Sequence, residues 1–218
     1  MSTAASAAAV RRSRTHKIAV TAMLSAAATV LMFLEFPIPF LIPSFVELDF
    51  SELPALLAAF SLGPVSGVIV CLVKNVIKGL LFSGTGGVGE MCNFLLGVCF
   101  VIPAGLIYRY KKTRSGALIG ALAGAVIMAV CSVPVNYFIS YPVYTKFLPI
   151  DVIISMYQEI ITSFNGLLAR VGAPALPSVN GLLGCLIAFN APFTLLKGLL
   201  DMGLCFLIYK PLSPLLHK

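Results

Sequence analysis

The sequence predicts an all-α membrane protein with six transmembrane helices and cytoplasmic N- and C-termini. Of its 218 residues, 59% are hydrophobic and only 11% are charged, whereas about a quarter of an average soluble domain is charged. Residues 18–73, 79–108 and 115–145 contain no Lys or Arg, and a spanning helix needs roughly 20 mostly apolar residues. This composition excludes a soluble domain and a disordered chain. The net charge of +7 is a topology signal and does not indicate nucleic-acid binding.

The positive-inside rule decides between two six-helix layouts. A second helix over 53–72 would put the basic cluster 109–114 outside the cell. The favoured layout instead has a short second helix, capped by Ser51 and ended by Gly63 and Pro64, and it puts ten of the fifteen basic residues in the cytoplasm. Its other helices cover 17–36, 65–82, 88–108, 115–138 and 181–209. Residues 1–16 and 211–218 are then cytoplasmic tails flanking a transmembrane domain at 17–210.

The outside loops of this layout are 37–50, 83–89 and the long segment 139–180. Apolar residues in the third loop recur with helical spacing, as at Val152, Met156 and Ile160. This spacing predicts an amphipathic helix over 151–168 that lies at the membrane interface or caps the bundle.

Polar residues within the apolar helices predict a ligand pocket in the outer half of the bundle. An intramembrane charge is costly and normally faces a cavity or a partner. Lys78 lies near a helix end, where it can reach the interface, and Asp201 is predicted to pair with Lys197 one turn away. The alternative is a structural network that ties helices together. The pocket candidates are Lys74, Glu90, Asn93, Asn136, Tyr137, Asn190, Thr194 and Lys197.

Other motifs do not indicate catalysis, a metal or a cofactor. The GxGxxG match at 84–89 joins two apolar helices, so it is interpreted as a turn rather than a dinucleotide site. The six cysteines lie in apolar segments without CxxC spacing, which is typical of buried small residues. Both histidines lie in the predicted tails, so a membrane enzyme would have to use Glu90 or Asp49 as its general base. A membrane enzyme is therefore the least favoured of the hypotheses.

Ala22 and Ala26 form a small-xxx-small pair on the first helix. Such pairs let helices approach closely, and this one serves either internal packing or the docking of another membrane subunit.

Several segments resemble the riboflavin-specific S component of energy-coupling factor (ECF) vitamin transporters. They are LDFSELPALLAAF at 48–60, GPVSG at 63–67, Lys74-Asn75, GGVGE at 86–90 with Asn93, and PFTLLKG at 192–198. The similarity extends over about residues 17–210, and Ala22 and Ala26 match the AxxxA motif with which S components dock.

The resemblance implies the ECF S-component fold and a bacterial plasma-membrane protein without ATPase activity. Riboflavin would be captured from outside under the first loop and delivered inward with a coupling subunit and two ABC ATPases. By position, Asn136 and Lys197 would bind the flavin, with Phe45, Glu47 and Leu48 as further lining. Thr194 stands where the family has an asparagine, and Asn190 would compensate. The alternatives are an S component for another vitamin or flavin analogue, or a membrane scaffold without transport function.

Overall fold

The computed structural model describes residues 2–170, 172, 174, 175, 179 and 181–216, with side chains described between residues 14 and 209. Nearly all of this part of the chain is helical. The elements are α1 (Ser2–Phe33), β1 (Phe36–Pro37), β2 (Glu47–Leu48), α2 (Glu52–Ser61), α3 (Pro64–Phe82), α4 (Val88–Tyr110), α5 (Arg114–Val135), the π-helical turn π1 (Asn136–Ser140), α6 (Tyr141–Tyr144), α7 (Ile150–Arg170), α8 (Gly181–Cys185), the second π-helical turn π2 (Leu186–Asn190) and α9 (Ala191–Leu216).

The short helix α2 lies at the centre of the bundle. Nine of its ten residues are buried, and it packs against α1, α3, α4 and α9. Ten residues rise only about 15 Å, which is too short to cross a hydrocarbon core of about 30 Å. Burial by these four neighbouring helices keeps this short segment inside protein.

The helices α4 and α5 pack most closely at two glycines of α5. A Cβ atom at Gly120 would lie 2.7 Å from the carbonyl oxygen of Ala104, and one at Gly124 would meet the carbonyl oxygen of Phe100. The absence of a side chain thus permits backbone contact between the two helices. At its N-terminus α5 is capped by the Thr113 side chain, which accepts a hydrogen bond from the Gly116 N–H at 3.0 Å.

Two π-helical turns interrupt the longer helices, each ending two residues before a proline. The Tyr141 N–H bonds to the Asn136 carbonyl, and the Ala191 N–H bonds to the Leu186 carbonyl, five residues back in both cases. Pro142 and Pro192 follow, and a proline removes the regular helical bond to the residue four positions earlier. The predicted helix 115–138 consequently continues through π1 and α6 to Tyr144.

Within the described part of the chain, six helical stretches are long and apolar enough to cross a membrane, in agreement with the predicted number. They are Arg14–Phe33, Pro64–Phe82, Val88–Tyr110, Arg114–Tyr144, Ile150–Arg170 and Gly181–Tyr209. By length and composition α7 is among them and α2 is not, whereas the sequence analysis counted α2 and put 151–168 in an outside loop. The helix predicted there exists, and Ile153, Tyr157, Ile160 and Ile161 form its buried face. The predicted tails continue α1 and α9 in helical conformation up to Leu216.

The loop between α1 and α2, residues 34–51, folds back on itself and is called loop 1 below. Its strands β1 and β2 pair antiparallel, with Phe36 opposite Leu48 and Pro37 opposite Glu47. This two-residue ribbon was absent from the all-α prediction. It brings the Phe45–Asp49 end of the loop to the end of the bundle, where the cavity described next opens.

Candidate ligand-binding site

A cavity of about 410 Å³ opens where loop 1 meets the ends of α1 and α3, the start of α4, the two π-helical turns and the start of α9. Its volume lies within the range of about 300–1,000 Å³ that is typical of small-molecule sites. Eight of the eleven predicted site residues line it, namely Phe45, Glu47, Glu90, Asn93, Asn136, Asn190, Thr194 and Lys197. Four separate parts of the chain therefore bring polar groups into one space.

The other three predicted site residues do not line this cavity. Leu48 is buried in the apolar cluster beneath loop 1. Lys74 is fully buried below the cavity wall, where it binds other side chains. Tyr137 is 38% exposed and packs edge-on against Phe138. As its neighbour Asn136 faces the cavity, the helical turn carries Tyr137 away from it.

A buried ion cluster underlies the cavity and joins loop 1, α2, α3 and α9. Lys197 Nζ donates to Asp49 Oδ2 at 2.8 Å and forms an ion pair with Glu52 Oε2 at 3.0 Å. The other oxygen of Glu52 accepts from Lys74 Nζ at 2.5 Å, and Lys74 also donates to Ser51 and, at 3.2 Å, to Asn93 Oδ1. Lys74 thus has one carboxylate partner and Lys197 has two, as a charge removed from water requires.

The charge of Asp49 is fixed by this cluster. Burial alone would raise the pKa of its carboxyl, but the charges of Lys197 and Lys74 outweigh burial and lower the pKa below its ordinary value of 3.8. Ser51 adds a backbone N–H bond to Asp49 Oδ1 at 2.7 Å. Asp49 therefore stays ionised and ties loop 1 to α9.

The predicted pair between Asp201 and Lys197 is wrong. Both carboxylate oxygens of Asp201 are buried and have no hydrogen-bond partner among the described residues. Lys197 turns instead toward Asp49 and Glu52, because these carboxylates reach it from α2 and loop 1 with a second cation close by. The sequence held a signal for this outcome, since three lysines in apolar helices need counter-charges and LDFSE supplies two acids next to them.

The predicted turn between α3 and α4 exists over residues 84–87, with residues 88 and 89 already in α4, and the Glu90 side chain holds it in place. Its Gly86 and Gly87 have positive φ values of 64° and 89°. Glu90 Oε2 accepts hydrogen bonds from Ser83 Oγ at 3.0 Å and Thr85 Oγ1 at 3.2 Å. Glu90 therefore orders one wall of the cavity. Near the same opening, Lys78 forms an ion pair with Glu35 instead of extending to the interface.

The cavity lining carries more acids than bases. Its described carboxylates are Glu35, Glu47, Asp49, Glu52 and Glu90, and its lysines are Lys78 and Lys197. Both lysines already bind carboxylates. An anionic ligand would find no unpaired cation among these lining residues.

Aromatic and aliphatic side chains form the remaining walls, and sequence reasoning missed most of them. The Phe45 ring in loop 1 packs edge-on against Tyr141 at 6.3 Å and Tyr144 at 5.8 Å between ring centroids. Met32, Met128 and Phe193 also line the cavity. These residues are ordinary core types in sequence, so only the fold distinguishes them.

The face of α1 that carries Ala22 and Ala26 points outward. Both alanines are exposed, whereas Thr21, Ser25 and Thr29 are buried against the bundle. Ser25 and Thr29 bond the carbonyl groups four residues earlier at 2.8 Å. Of the two roles predicted for Ala22 and Ala26, internal packing does not fit, because both side chains point away from the described part of the bundle.

Comparisons with known proteins agree on one family. The family model of the substrate-specific component of ECF transporters matches residues 16–212. A solved structure of the S component of a bacterial ECF transporter superposes with a TM-score of 0.68 and 32% sequence identity, covering 94% of this chain and 99% of that chain.

Curated relatives of similar length are described as riboflavin transporters. RibU of Staphylococcus aureus (strain TCH60) is 34% identical over 202 residues, covering 93% of each chain. FmnP of Bacillus subtilis (strain 168) is 30% identical over 207 residues, covering 94% of this chain and 96% of its own. RibU of Streptococcus thermophilus (strain ATCC BAA-250 / LMG 18311) is 31% identical over 208 residues, covering 94% and 86%.

The helical stretches and the riboflavin-transporter relatives define a multi-pass membrane protein of the bacterial plasma membrane, and a cavity of small-molecule size opens at one end of its bundle. The chain belongs to the family of substrate-specific components of ECF transporters. Members of this family are transport subunits rather than enzymes, which confirms the prediction that the chain is not an enzyme.

Proposed function

We propose that this chain binds riboflavin in the cavity beneath loop 1 and is the riboflavin-specific subunit of an ECF importer. The observation that carries the proposal is the lining of the cavity, which combines aromatic walls with three asparagines and no unpaired cation among its described residues. Relatives 30–34% identical over most of the chain are described as riboflavin transporters. Riboflavin is the transported ligand in this proposal, and no cofactor takes part.

The chemistry of the lining suits a neutral, planar ligand with polar edges. Amide side chains both donate and accept hydrogen bonds, and aromatic walls such as Phe45 and Tyr141 accommodate a flat ring. A phosphorylated flavin would bring negative charge close to Glu47 and Glu90 without a free lysine or arginine to bind it. We therefore expect riboflavin to bind more tightly than flavin mononucleotide.

The small molecule that the protein carries tests the cargo. The chain is purified in detergent from bacteria grown with riboflavin, then denatured, and the released flavin is measured by absorbance and mass. We expect about one riboflavin per chain and a yellow preparation. A colourless preparation that also fails to bind added riboflavin would favour a membrane scaffold. Release of another vitamin or a flavin analogue would show that the chain is specific for that molecule and not for riboflavin.

For transport, the proposal assigns both termini to the cytoplasm and the exposed Ala22–Ala26 face to a coupling subunit that works with two ABC ATPases. The basic cluster at 109–114, which contains four Lys or Arg residues, supports this orientation. Short side chains allow close helix contact, and both alanines face away from this chain's own core.

Replacing Ala22 and Ala26 together by leucine tests this docking face. Riboflavin uptake should fall to background in cells that contain the ATPase module, because the larger side chains separate the two subunits, while riboflavin binding by the purified variant should stay unchanged. Leu118, which is exposed on α5, offers a control: Leu118→Phe adds bulk to another outer surface and should leave uptake intact. Normal uptake by the alanine variant would contradict docking through this face.

A further inference from the structure

The Asn190 side chain is held in one orientation by a residue outside the cavity. Asn190 ends π2, lines the cavity and is 3% exposed. Its Oδ1 accepts a hydrogen bond from the Tyr157 hydroxyl at 3.2 Å. An asparagine oxygen accepts through two lone pairs and its NH₂ group donates two N–H bonds; with the oxygen turned to Tyr157, the NH₂ group is the part directed at a ligand.

Tyr157 is itself fixed on both sides. It comes from α7, is fully buried, and packs against Phe189 with ring centroids 5.5 Å apart. Its hydroxyl lies 2.5 Å from that of Tyr141. Because the Tyr157 proton goes to Asn190, the Tyr141 hydroxyl must donate to Tyr157. The result is a directed chain of hydrogen bonds from Tyr141 through Tyr157 to Asn190.

The other two cavity asparagines are also oriented by partners that the ligand would not displace. Asn136 Nδ2 donates to the Ser132 carbonyl at 2.8 Å, so its oxygen is left as an acceptor. Asn93 Oδ1 accepts from Lys74 at 3.2 Å, so its NH₂ group is left as a donor. The cavity therefore presents a fixed pattern, with an acceptor at Asn136 and donors at Asn93 and Asn190.

We propose that Tyr157 is a positioning residue for ligand recognition: through its hydrogen bond it aims the Asn190 NH₂ group at a hydrogen-bond acceptor of the ligand. This inference rests on the proposed riboflavin site and extends it to α7, which does not itself line the cavity. Without the Tyr157 hydroxyl, the Asn190 amide is free to rotate by half a turn, which puts its oxygen where the donor should be. The buried oxygen would then also lack its partner.

A double-mutant cycle separates this role from a purely structural one. Riboflavin affinity is measured by flavin fluorescence for the unmodified protein, Tyr157→Phe, Asn190→Ala and the double variant. We expect Tyr157→Phe to weaken binding about 3- to 10-fold, and to have almost no further effect once Asn190 is alanine, because it acts through that amide. Tyr110→Phe removes a hydroxyl from a side chain that is 90% exposed and serves as the matched control.

Additive effects of the two substitutions would overturn the positioning role, since a packing defect does not depend on the residue at 190. Asn190→Asp is the second test and leaves Tyr157 intact. The carboxylate still accepts from Tyr157 but offers no donor, so binding should weaken at least as much as in Tyr157→Phe, and unchanged affinity would contradict the proposal. If the unmodified protein does not bind riboflavin, both the proposed cargo and the positioning role of Tyr157 are wrong. If the unmodified protein binds and the cycle is additive, only the role of Tyr157 is wrong.

Discussion

Lys74 and Lys197 are both intramembrane cations that bind Glu52, but Lys74 is buried and Lys197 is only partly buried. Lys74 is fully buried and has Ser51, Glu52 and Asn93 as hydrogen-bond partners. Lys197 is 11% exposed and lines the cavity while it binds Asp49 and Glu52. An ammonium group has three donors, so Lys74 uses all of them on the protein and Lys197 retains one for a ligand.

The difference shows that an intramembrane charge does not by itself indicate a binding site. The sequence predicts a pocket position for both lysines for the same reason, namely that a charge in an apolar helix is costly. Only the count of remaining donors and the contact with the cavity distinguish Lys74 from Lys197. Variants at the two positions should therefore separate stability from binding.

The largest effect is expected for Lys74→Met. Removing this cation leaves the buried Glu52 with Lys197 as its one ion-pair partner among the described residues, and breaking a buried pair typically costs about 3–5 kcal/mol. We expect a strong fall in the unfolding temperature, measured in detergent through the reaction of the buried cysteines with a thiol dye. Lys146→Met, at an exposed position, should unfold like the unmodified protein. Equal stability of Lys74→Met would refute a structural role for Lys74.

Lys197→Met should affect binding more than Lys74→Met does in the fraction that remains folded. Loss of one hydrogen bond from a charged group costs about 1.5–3 kcal/mol, which corresponds to a riboflavin dissociation constant raised about 10- to 100-fold. Titration of both variants with riboflavin, corrected for folded protein, gives the comparison. The assignment fails if the two variants lose affinity equally.

Gly120→Ala tests the close-packed region of α4 and α5 away from the ion cluster. The added Cβ would lie 2.7 Å from the Ala104 carbonyl oxygen, so the helices must separate, at a cost of about 1–3 kcal/mol. The unfolding temperature should fall while riboflavin affinity per folded protein stays the same. Gly203→Ala is the control on α9, because a Cβ there meets nothing within 4 Å. A large loss of affinity in Gly120→Ala would show that packing and binding are coupled.

The smallest effect concerns pH and loop 1, which is called closed in the position that it has here over the cavity. Burial and the adjacent Glu35 carboxyl, followed by Asp49, raise the pKa of Glu47 above 4.5, against the opposing charge of Lys78. A raised pKa means that the closed loop favours protonated Glu47, so this contribution is present below about pH 4.5 and is lost as pH rises through the raised value. Because Glu47 is exposed, solvent screening limits the resulting change in the riboflavin dissociation rate to about two- to threefold.

Riboflavin dissociation measured by stopped-flow fluorescence tests this pH dependence. The rate should increase with pH above about 4.5 in the unmodified protein and stay level in Glu47→Gln. A level profile in both proteins would contradict a role for Glu47 in closure. Because the pKa of Asp49 is lowered, its ion pair with Lys197 stays intact over the same pH range. That ion pair therefore does not contribute to the pH dependence of the dissociation rate.

The sequence predicted the membrane class, the short second helix, the turn at 84–89 and eight of the cavity residues, because hydropathy, glycine turns and costly buried charges act locally. It did not predict that Lys197 binds Asp49 and Glu52, since the Asp201 pair is equally plausible one turn away on the same helix and only tertiary packing decides between them. It also missed the π-helical turns, although Pro142 and Pro192 were visible signals for them. Those turns aim Asn136 and Asn190 into the cavity, as π-bulges often do at functional sites.

We propose above all that the cavity beneath loop 1 holds riboflavin, and two neighbouring residues of π1 test this most directly. Asn136 lines the cavity and Tyr137 does not, so Asn136→Ala and Tyr137→Ala are compared in a riboflavin fluorescence titration of the purified protein. The dissociation constant should rise about tenfold or more for Asn136→Ala and stay unchanged for Tyr137→Ala. Tight binding that is indifferent to Asn136, or that depends on Tyr137 instead, would contradict the proposed site.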